Sequence, residues 1–421
     1  MINVHKRHIF NIVGLKCFIF LSCFTTLLHS MGCSQPVASP DSGSSVEQFV
    51  EDTGSIEHKQ PDASSPETKE ETILESPPKE NIPETHKEAI PETPAQKSVC
   101  GKQIQWKEAK PIPTGRDHHI SFISEASGKP YLYVISGNTY KTVYADVRYA
   151  PIQPSDGMLG DWKQGTNLPF PMSGAGIVVL KEKVYITAGR TPQFSSSVYM
   201  GKIQPNGDIT GWTKQTSIPE GRFHLSTEYA EGNIFAVGGL NSRGVAKDTI
   251  FSAKVKEDGT LGSWKLAGKM PAPRSHHSSF VKDGYLYLVG GFSGEPFVDR
   301  IQHHSELLRT KLKKDGSLDK WEKVATISTG IATHSNAVID DCFMVLGGIL
   351  QKGFGVRNMQ VWRWRFGSDK TLQGQPLQND NILEGKGHAH HAPVYKNRIY
   401  INGGSKTHRV VTNRVFVGTF Q

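Results

Sequence analysis

Residues 271–294 read PAPRSHHSSFVKDGYLYLVGGFSG, and this stretch decides the fold. A polar segment that contains two histidines leads into an alternating run with Tyr285, Tyr287 and Val289, and a glycine pair follows. Apolar residues at every second position predict a β-strand with one buried face. The glycine pair allows the end of that strand to approach neighbouring backbone more closely than a side chain would permit.

The same pattern returns along the chain, together with a second one. The small-residue pairs are Ser136-Gly137, Ala188-Gly189, Gly238-Gly239, Gly290-Gly291, Gly347-Gly348 and Gly403-Gly404. An Asp-Gly or Asn-Gly turn precedes each of Trp162, Trp212, Trp264 and Trp321, which are 50, 52 and 57 residues apart. A period of this length predicts a repeated unit of four β-strands. In the third unit we predict strands near 223–230, 233–238 and 250–255, and a fourth strand that carries Trp264.

Both signals resemble the kelch repeat, whose units carry Gly-Gly after the second strand and an aromatic residue on the fourth. The resemblance covers residues 103–421 and implies an all-β fold, a six-bladed β-propeller of the galactose oxidase/kelch superfamily. The sequence departs from the pattern at Ser136 and Ala188, which replace the first glycine of a pair. Gln375 stands where the tryptophan of the fifth unit is expected.

The sixth unit contains only three predicted strands. A segment with the tryptophan of a fourth strand lies at the other end of the propeller region, at 103–107 around Trp106. We predict that this N-terminal strand joins the last blade and closes the ring, because unpaired sheet edges are a liability.

The first residues have the composition of an export signal. Residues 1–32 begin with basic side chains, continue with an apolar run over 9–28 and end in small residues before Cys33. An uncleaved membrane anchor is the alternative, and Lys16 within the apolar run argues against it.

The Gly-Cys sequence at Cys33 resembles the lipoprotein cleavage box of bacteria, in which the cysteine is lipidated and becomes the mature N-terminus. Ser30 stands where that box usually has leucine. The resemblance implies a protein of the bacterial cell envelope, anchored in the membrane by lipid. Ser34 after the cysteine implies sorting to the outer membrane.

Residues 33–99 are rich in Pro, Glu, Ser and Thr and nearly devoid of aromatic residues. Such a composition buries too little apolar surface to offset the entropy of folding, so we predict a disordered tether. The three predicted regions are therefore a lipoprotein-type signal peptide (1–32), a disordered acidic tether (33–99) and a propeller (100–421).

Charge divides along the same boundaries. Residues 34–99 contain 14 acidic residues and five lysines, a net charge of −9, and residues 1–33 contribute +3. Because the whole chain carries +8, the propeller carries +14. A basic propeller on an acidic tether predicts anionic partners. We expect no nucleic-acid partner, since no nucleic-acid-binding module is recognisable and an export signal argues against that role.

The cysteines predict one candidate disulfide. Cys17 and Cys23 lie in the segment that export would remove, and Cys33 would be lipidated. Cys100 and Cys342 remain as an even pair in an oxidising compartment. Cys100 precedes the closing strand and Cys342 starts the second strand of the fifth unit, so both are expected on the same face of the ring. They either form a disulfide that clamps the closure or remain two thiols.

With the strands assigned in this way, two sets of loops emerge on one face of the propeller. One set connects the second and third strands of each blade, and the other leads into the first strand. They bring many Arg and His side chains to that face. The pattern Arg-x-x-His at Arg116, His119, Arg274 and His277 resembles the kelch scaffold and predicts a structural role. We predict ligand contacts for Arg190, Arg222, His224, Arg243, Arg300, Arg357 and Arg409.

No metal ligand set or cofactor is predicted, because no histidines have ordinary ligand spacing with a supporting carboxylate. Some propellers of this superfamily are enzymes, including a copper oxidase of sugars and a sialic acid mutarotase. The oxidase needs a tyrosine–cysteine crosslink beside copper, and Cys342 is expected on the opposite face. A mutarotase needs arginines for a carboxylate and an acid or base, which this face could supply.

The sequence therefore predicts a membrane-tethered binding module for an anionic glycan or protein partner, with an Arg/His-rich face. A sugar-modifying enzyme of the mutarotase type and a purely structural envelope protein are the alternatives. Fold alone does not decide among them, because propellers support many unrelated functions.

Overall fold

The computed structural model describes residues 98–295, 300–351, 357–388, 391–407 and 409–421. The predicted signal peptide, the lipidation site Cys33 and nearly all of the predicted tether lie outside these residues. Within the described part, helical structure is limited to a three-residue 3₁₀ turn at Val99–Gly101. No helix among these residues is long and apolar enough to cross a membrane.

Six antiparallel sheets of four strands form the blades, which confirms the predicted propeller. Blade one comprises Ile120–Ser124, Tyr131–Ile135, Val147–Pro151 and Lys163–Gln164. Blade two comprises Gly176–Leu180, Lys183–Thr187, Val198–Ile203 and Ile209–Gln215. Blade three comprises Ser226–Ala230, Asn233–Val237, Lys247–Lys254 and Lys265–Arg274.

The remaining blades repeat this order. Blade four comprises Ser278–Lys282, Tyr285–Val289, Glu306–Lys311 and Glu322–Thr326. Blade five comprises Ser335–Ile339, Cys342–Leu346, Gln360–Phe366 and Leu372–Asn381. Blade six comprises Val394–Tyr395, Arg398–Asn402, Val415–Phe420 and the N-terminal strand Ile104–Ala109. Short two-stranded ribbons occur in the loops, including Phe292–Glu295 with Arg300–His303.

The hydrophobic core lies between blades, one cluster at each interface. The cluster between blades one and two, for example, joins Ile120 and Val147 to Val184 and Ile186. Equivalent clusters fill the other five interfaces among the described residues. Each blade therefore buries both of its faces against its neighbours, and no blade completes a core alone.

The predicted ring closure is present. Ile104–Ala109 pairs antiparallel with Val415–Phe420, from Ile104 opposite Phe420 to Ala109 opposite Val415. Just before this strand, Cys100 forms a disulfide with Cys342 of blade five, with Cα atoms 5.1 Å apart. The closing strand is thus held by one ladder within blade six and one covalent link to the adjacent blade.

Two repeated side-chain contacts join consecutive blades. In the first contact, a buried tyrosine on the second strand donates its hydroxyl to a carbonyl in a turn of the next blade. Tyr133 donates to the Gly207 carbonyl at 2.8 Å, and Tyr185 donates to the Gly259 carbonyl at 2.6 Å. The indole of Trp264 donates to the Thr216 carbonyl of the preceding blade at 2.8 Å. The repeated tryptophan and the repeated turn of the sequence therefore mark residues that form hydrogen bonds between consecutive blades.

A ring of backbone hydrogen bonds joins the six loops that enter the first strands. The residues at the six equivalent positions are His118, Gly174, His224, His276, Thr333 and His388, and each has a positive φ between 54° and 58°. Each N–H donates to the carbonyl of the preceding residue in this set, at distances of 2.8 to 3.2 Å. His118 donates to His388, so the ring is closed. We call this set the axial ring.

The glycine pairs show why one member tolerates replacement. The first position has a φ near 60°, a left-handed region that Ser136 and Ala188 also adopt, with φ of 56° and 62°. The second position has a φ near 90°, and a Cβ on Gly189 would lie 3.0 Å from the Ser173 carbonyl oxygen and 2.9 Å from the Ala175 Cβ. Only the second glycine is required by both conformation and space.

The Gly189→Ala variant should be destabilised by about 2–4 kcal/mol, because it combines backbone strain with a close contact to the loop that enters the blade. Ala188→Gly is the matched control and should change the free energy of unfolding by about 1 kcal/mol or less. Denaturant unfolding of both variants measures the difference. Equal effects would contradict the assignment of the two positions.

The Cys100–Cys342 disulfide closes a large loop, so its removal should destabilise the propeller by about 2–4 kcal/mol. Thermal unfolding with and without reductant tests this expectation. Reductant should lower the Tm of the wild type and leave that of the Cys100→Ala/Cys342→Ala variant unchanged. A wild-type Tm that does not respond to reductant would show that this bond does not contribute.

Candidate functional site

The loops that enter the first strands and the loops between second and third strands meet on one face, as predicted. They enclose a cavity of about 810 Å³ at the mouth of the central channel. We call this the mouth cavity, and its lining includes His118, Tyr140, Arg190, Phe223, His224, Leu240, His276, Phe292, Ile301, His303, Thr333, Ile349, Arg357 and His388. The lining is thus mainly apolar and aromatic, with imidazoles and two guanidinium groups.

The two arginines differ in exposure. Arg190 is exposed, and its Nε donates to the Pro192 carbonyl at 3.2 Å. Arg357 is buried, and its Nε donates to Ser405 Oγ at 3.1 Å. Burial lowers the pKa of Arg357 from its usual value, and guanidinium groups remain charged at neutral pH. The cavity therefore offers one exposed and one buried positive charge.

Four imidazoles of the axial ring lie at the floor of the mouth cavity. One ring nitrogen from each of His118, His276 and His388 lies within 4.8 Å of the other two. The ring of His224 is tilted by 32° against that of His276, with centroids 3.4 Å apart, and its centroid lies 4.5 Å from that of the His118 ring. Burial lowers the pKa of the His276 imidazole well below its ordinary value.

A carboxylate supports one of these imidazoles. Asp117 is buried, and its Oδ1 lies 2.6 Å from His118 Nδ1. The amide of Asn138 also donates to this oxygen at 3.0 Å. The Asp117–His118 pair is an arrangement that can orient an imidazole for acid–base chemistry or for ligation.

A second cavity of about 210 Å³ lies on the other side of the axial ring, inside the channel. Its lining includes Ser226, Glu228, His277 and Ser279. A hydrogen-bonded series runs from His277 Nε2 to Ser226 Oγ at 2.9 Å, to Ser279 Oγ at 2.6 Å and to Glu228 Oε1 at 2.6 Å. Burial raises the pKa of Glu228 to about 7. The channel thus holds a carboxyl that titrates near neutral pH.

The structure separates the seven predicted contact residues into four groups. Arg190, His224 and Arg357 line the mouth cavity. Arg243 and Arg409 are exposed and do not belong to its lining. Arg300 begins the ribbon strand Arg300–His303.

Arg222 lies elsewhere. It is buried within blade three, where its guanidinium pairs with Glu220 and donates to Thr249 Oγ1 at 2.6 Å. Arg222 therefore has the position of a scaffold residue, equivalent to Arg116 and Arg274 in blades one and four.

The two arginines predicted to be structural make contacts within the scaffold. Arg116 is fully buried, bonds the Ser136 carbonyl at 2.9 Å and forms an ion pair with Asp146. Arg274 bonds the Gly290 carbonyl at 2.9 Å. These guanidinium groups donate to the carbonyls of the residues that directly follow the second strands.

Sequence reasoning missed the convergence of the axial histidines and the position of Glu228. The axial histidines lie in four different repeats, so no local spacing reveals them. Their common position, two residues after Arg116, Arg222 and Arg274, is the signal that could have located them.

No family model matches the chain. Kelch-like protein 15 of Homo sapiens is 25% identical over 222 residues, which are 49% of this chain and 34% of that protein. The kelch repeat and BTB domain-containing protein 1 of Ectromelia virus is 26% identical over 162 residues, or 38% of this chain and 26% of that protein. The match thus spans about a third or less of each relative's own length.

The solved structure of YjhT has a TM-score of 0.58 and 14% sequence identity, and the alignment covers 74% of this chain and 99% of that one. This likeness concerns the fold. The six four-stranded blades make the chain a six-bladed β-propeller, and its sequence is similar to parts of kelch-repeat proteins.

The raised pKa of Glu228 predicts a pH-dependent stability. The folded protein retains a proton that the unfolded chain releases above about pH 4.5, so the free energy of unfolding falls as the pH rises from 4.5 to about 7. Each pH unit in this window lowers the free energy of unfolding by at most about 1.4 kcal/mol. Glu228→Gln should therefore be more stable than the wild type at pH 8 and show a flatter pH profile.

Denaturant unfolding at pH 5 and pH 8 measures this effect, with Glu257→Gln as the matched control because Glu257 is exposed in a turn of the same blade. The control should keep the wild-type profile. A Glu228→Gln variant with that same profile would show that Glu228 ionises normally.

Proposed function

We propose that this kelch-type propeller is a binding module that receives an acidic segment of a protein partner in the mouth cavity. The observation that carries the proposal is the position of Arg190 and Arg357 in the wall of one cavity of about 810 Å³. Ligand sites in proteins are commonly concave, mostly apolar and supplied with a few polar groups, and their volumes lie near 300–1,000 Å³.

The lining favours a peptide with both acidic and apolar side chains. Phe223, Phe292 and Ile301 offer apolar surface to a neighbouring side chain of the partner. Guanidinium groups bind carboxylates through two parallel hydrogen bonds, which gives directional recognition. Arg357 is held by Ser405 before binding, so less conformational entropy is lost when it meets a carboxylate.

The charge of the propeller supports an acidic partner at longer range. A net charge of +14 over residues 100–421 attracts anionic molecules and accelerates their association at low salt. We further propose that the protein acts in a bacterial envelope, tethered through Cys33 and the acidic segment 33–99. That part of the proposal rests on the sequence features of residues 1–99.

Binding of fluorescent peptides that alternate Glu with Phe or Leu tests the mouth cavity. Arg190→Gln and Arg357→Gln should each weaken binding about tenfold or more, and raised salt should weaken wild-type binding. Arg243→Gln is the matched control, because Arg243 is exposed on the same face outside the cavity lining. Thermal unfolding of each variant shows whether the fold is retained.

Equal losses in all three variants would show that binding depends on overall charge and not on this cavity. Binding of sialylated oligosaccharides in preference to the peptides would replace the protein partner with an anionic glycan.

A sugar-modifying enzyme is the second candidate, and the Asp117–His118 pair in the same cavity as two arginines favours it. A carboxylated sugar held by Arg190 and Arg357 would place its anomeric centre within reach of an imidazole acid or base. Exchange of sialic acid anomers, followed by NMR at catalytic protein concentration, would distinguish this activity from binding.

A further inference from the structure

We propose that His118, His276 and His388 form a binding site for a transition-metal ion of the Zn²⁺ class at the floor of the mouth cavity. The three residues come from blades one, four and six, and the axial ring brings them together. Imidazole ligands suit Zn²⁺, Cu²⁺, Ni²⁺ and Fe²⁺, whereas Mg²⁺ and Ca²⁺ prefer oxygen ligands.

The separations fit a site that contracts slightly on binding. One nitrogen from each imidazole lies within 4.8 Å of the other two. A tetrahedral zinc ion with Zn–N bonds of about 2.0–2.1 Å holds its ligand nitrogens about 3.3 Å apart. The rings must therefore converge by at most about 1.5 Å, which small side-chain rotations can provide.

The backbone beneath the three side chains is fixed. All three residues have the same left-handed conformation, with φ of 54°. Their N–H and carbonyl groups take part in the closed hydrogen-bond ring, so each Cα has a set position around the channel. A fixed backbone reduces the entropy that a metal ion must overcome to gather its ligands.

Each imidazole is also oriented by a neighbouring oxygen at Nδ1. His118 Nδ1 lies 2.6 Å from Asp117 Oδ1, His276 Nδ1 lies 3.1 Å from Ser275 Oγ, and His388 Nδ1 lies 3.3 Å from Ser405 Oγ. Metal-binding histidines usually have one ring nitrogen hydrogen-bonded to a carboxylate, hydroxyl or carbonyl in this way. Nε2 would then be the nitrogen that binds the ion.

The position of the site within the cavity implies an open coordination site. Three protein ligands leave a fourth position of a tetrahedral ion for water or another molecule. That position would face the mouth cavity, where Arg190 and Arg357 lie. An anionic ligand could bind the ion and a guanidinium group at once. The metal site itself does not depend on the nature of the proposed partner.

Titration of the metal-free full chain with Co²⁺, followed by visible absorption, tests the proposal. The wild type should bind one equivalent with the d–d bands of a tetrahedral site, and Zn²⁺ should displace it. His118→Ala, His276→Ala and His388→Ala should each weaken this binding at least 100-fold. Histidines of the N-terminal residues are present in every variant, so differences among variants report on this site alone.

His303→Ala is the matched control, because His303 lines the same cavity but lies outside the three-histidine group. It should bind Co²⁺ like the wild type. Circular dichroism and Tm show whether each variant folds, and His276→Gln replaces His276→Ala if the smaller side chain unfolds the protein.

As a second readout, saturating Zn²⁺ should raise the Tm of the wild type and of His303→Ala by several degrees, and that of His388→Ala by much less. Equal Co²⁺ spectra in the wild type and His276→Ala would overturn the proposal. So would the absence of a stoichiometric Co²⁺ spectrum in the wild type. Neither result would affect peptide binding through Arg190 and Arg357, so the two proposals can fail separately.

Discussion

Six backbone hydrogen bonds, one between each pair of consecutive entry loops, form the constraint on which the rest of this propeller depends. They require a left-handed conformation at every ring position, including four histidines and a threonine. A β-branched residue such as Thr333 is costly in this conformation, so the surrounding structure must supply the compensating energy.

The same constraint places chemistry at the axis. A ring of equivalent positions directs whatever side chains it carries toward one channel, and this chain carries four imidazoles, a glycine and a threonine there. Gly174 and Thr333 break the sixfold repetition, so the floor of the mouth cavity is asymmetric. Asymmetry on a symmetric scaffold allows a propeller to bind an asymmetric ligand.

Four of the buried arginines differ in their roles, because three contact the scaffold and one lines the mouth cavity. Arg116, Arg222 and Arg274 lie at equivalent points, and each binds groups of the blade that follows it in the chain. Arg357 occupies a different loop and reaches the cavity. Arg222 lies outside the Arg-x-x-His pattern of Arg116 and Arg274, so it was predicted as a ligand contact. Its partners Glu220 and Thr249 are 2 and 27 residues away, and only folding brings the second one near.

The repeat signals were sufficient to predict six blades, their phase and the closing strand at Trp106, because local alternation, turn residues and glycine pairs act over short distances. Tertiary structure alone decided which side chains meet. It brings together three imidazoles from blades one, four and six and the hydrogen-bonded series from His277 to Glu228. It also decides that Cys100 and Cys342 form a disulfide. The physical reason is that these contacts join residues from different repeats, and their distances depend on how the blades curve around the axis.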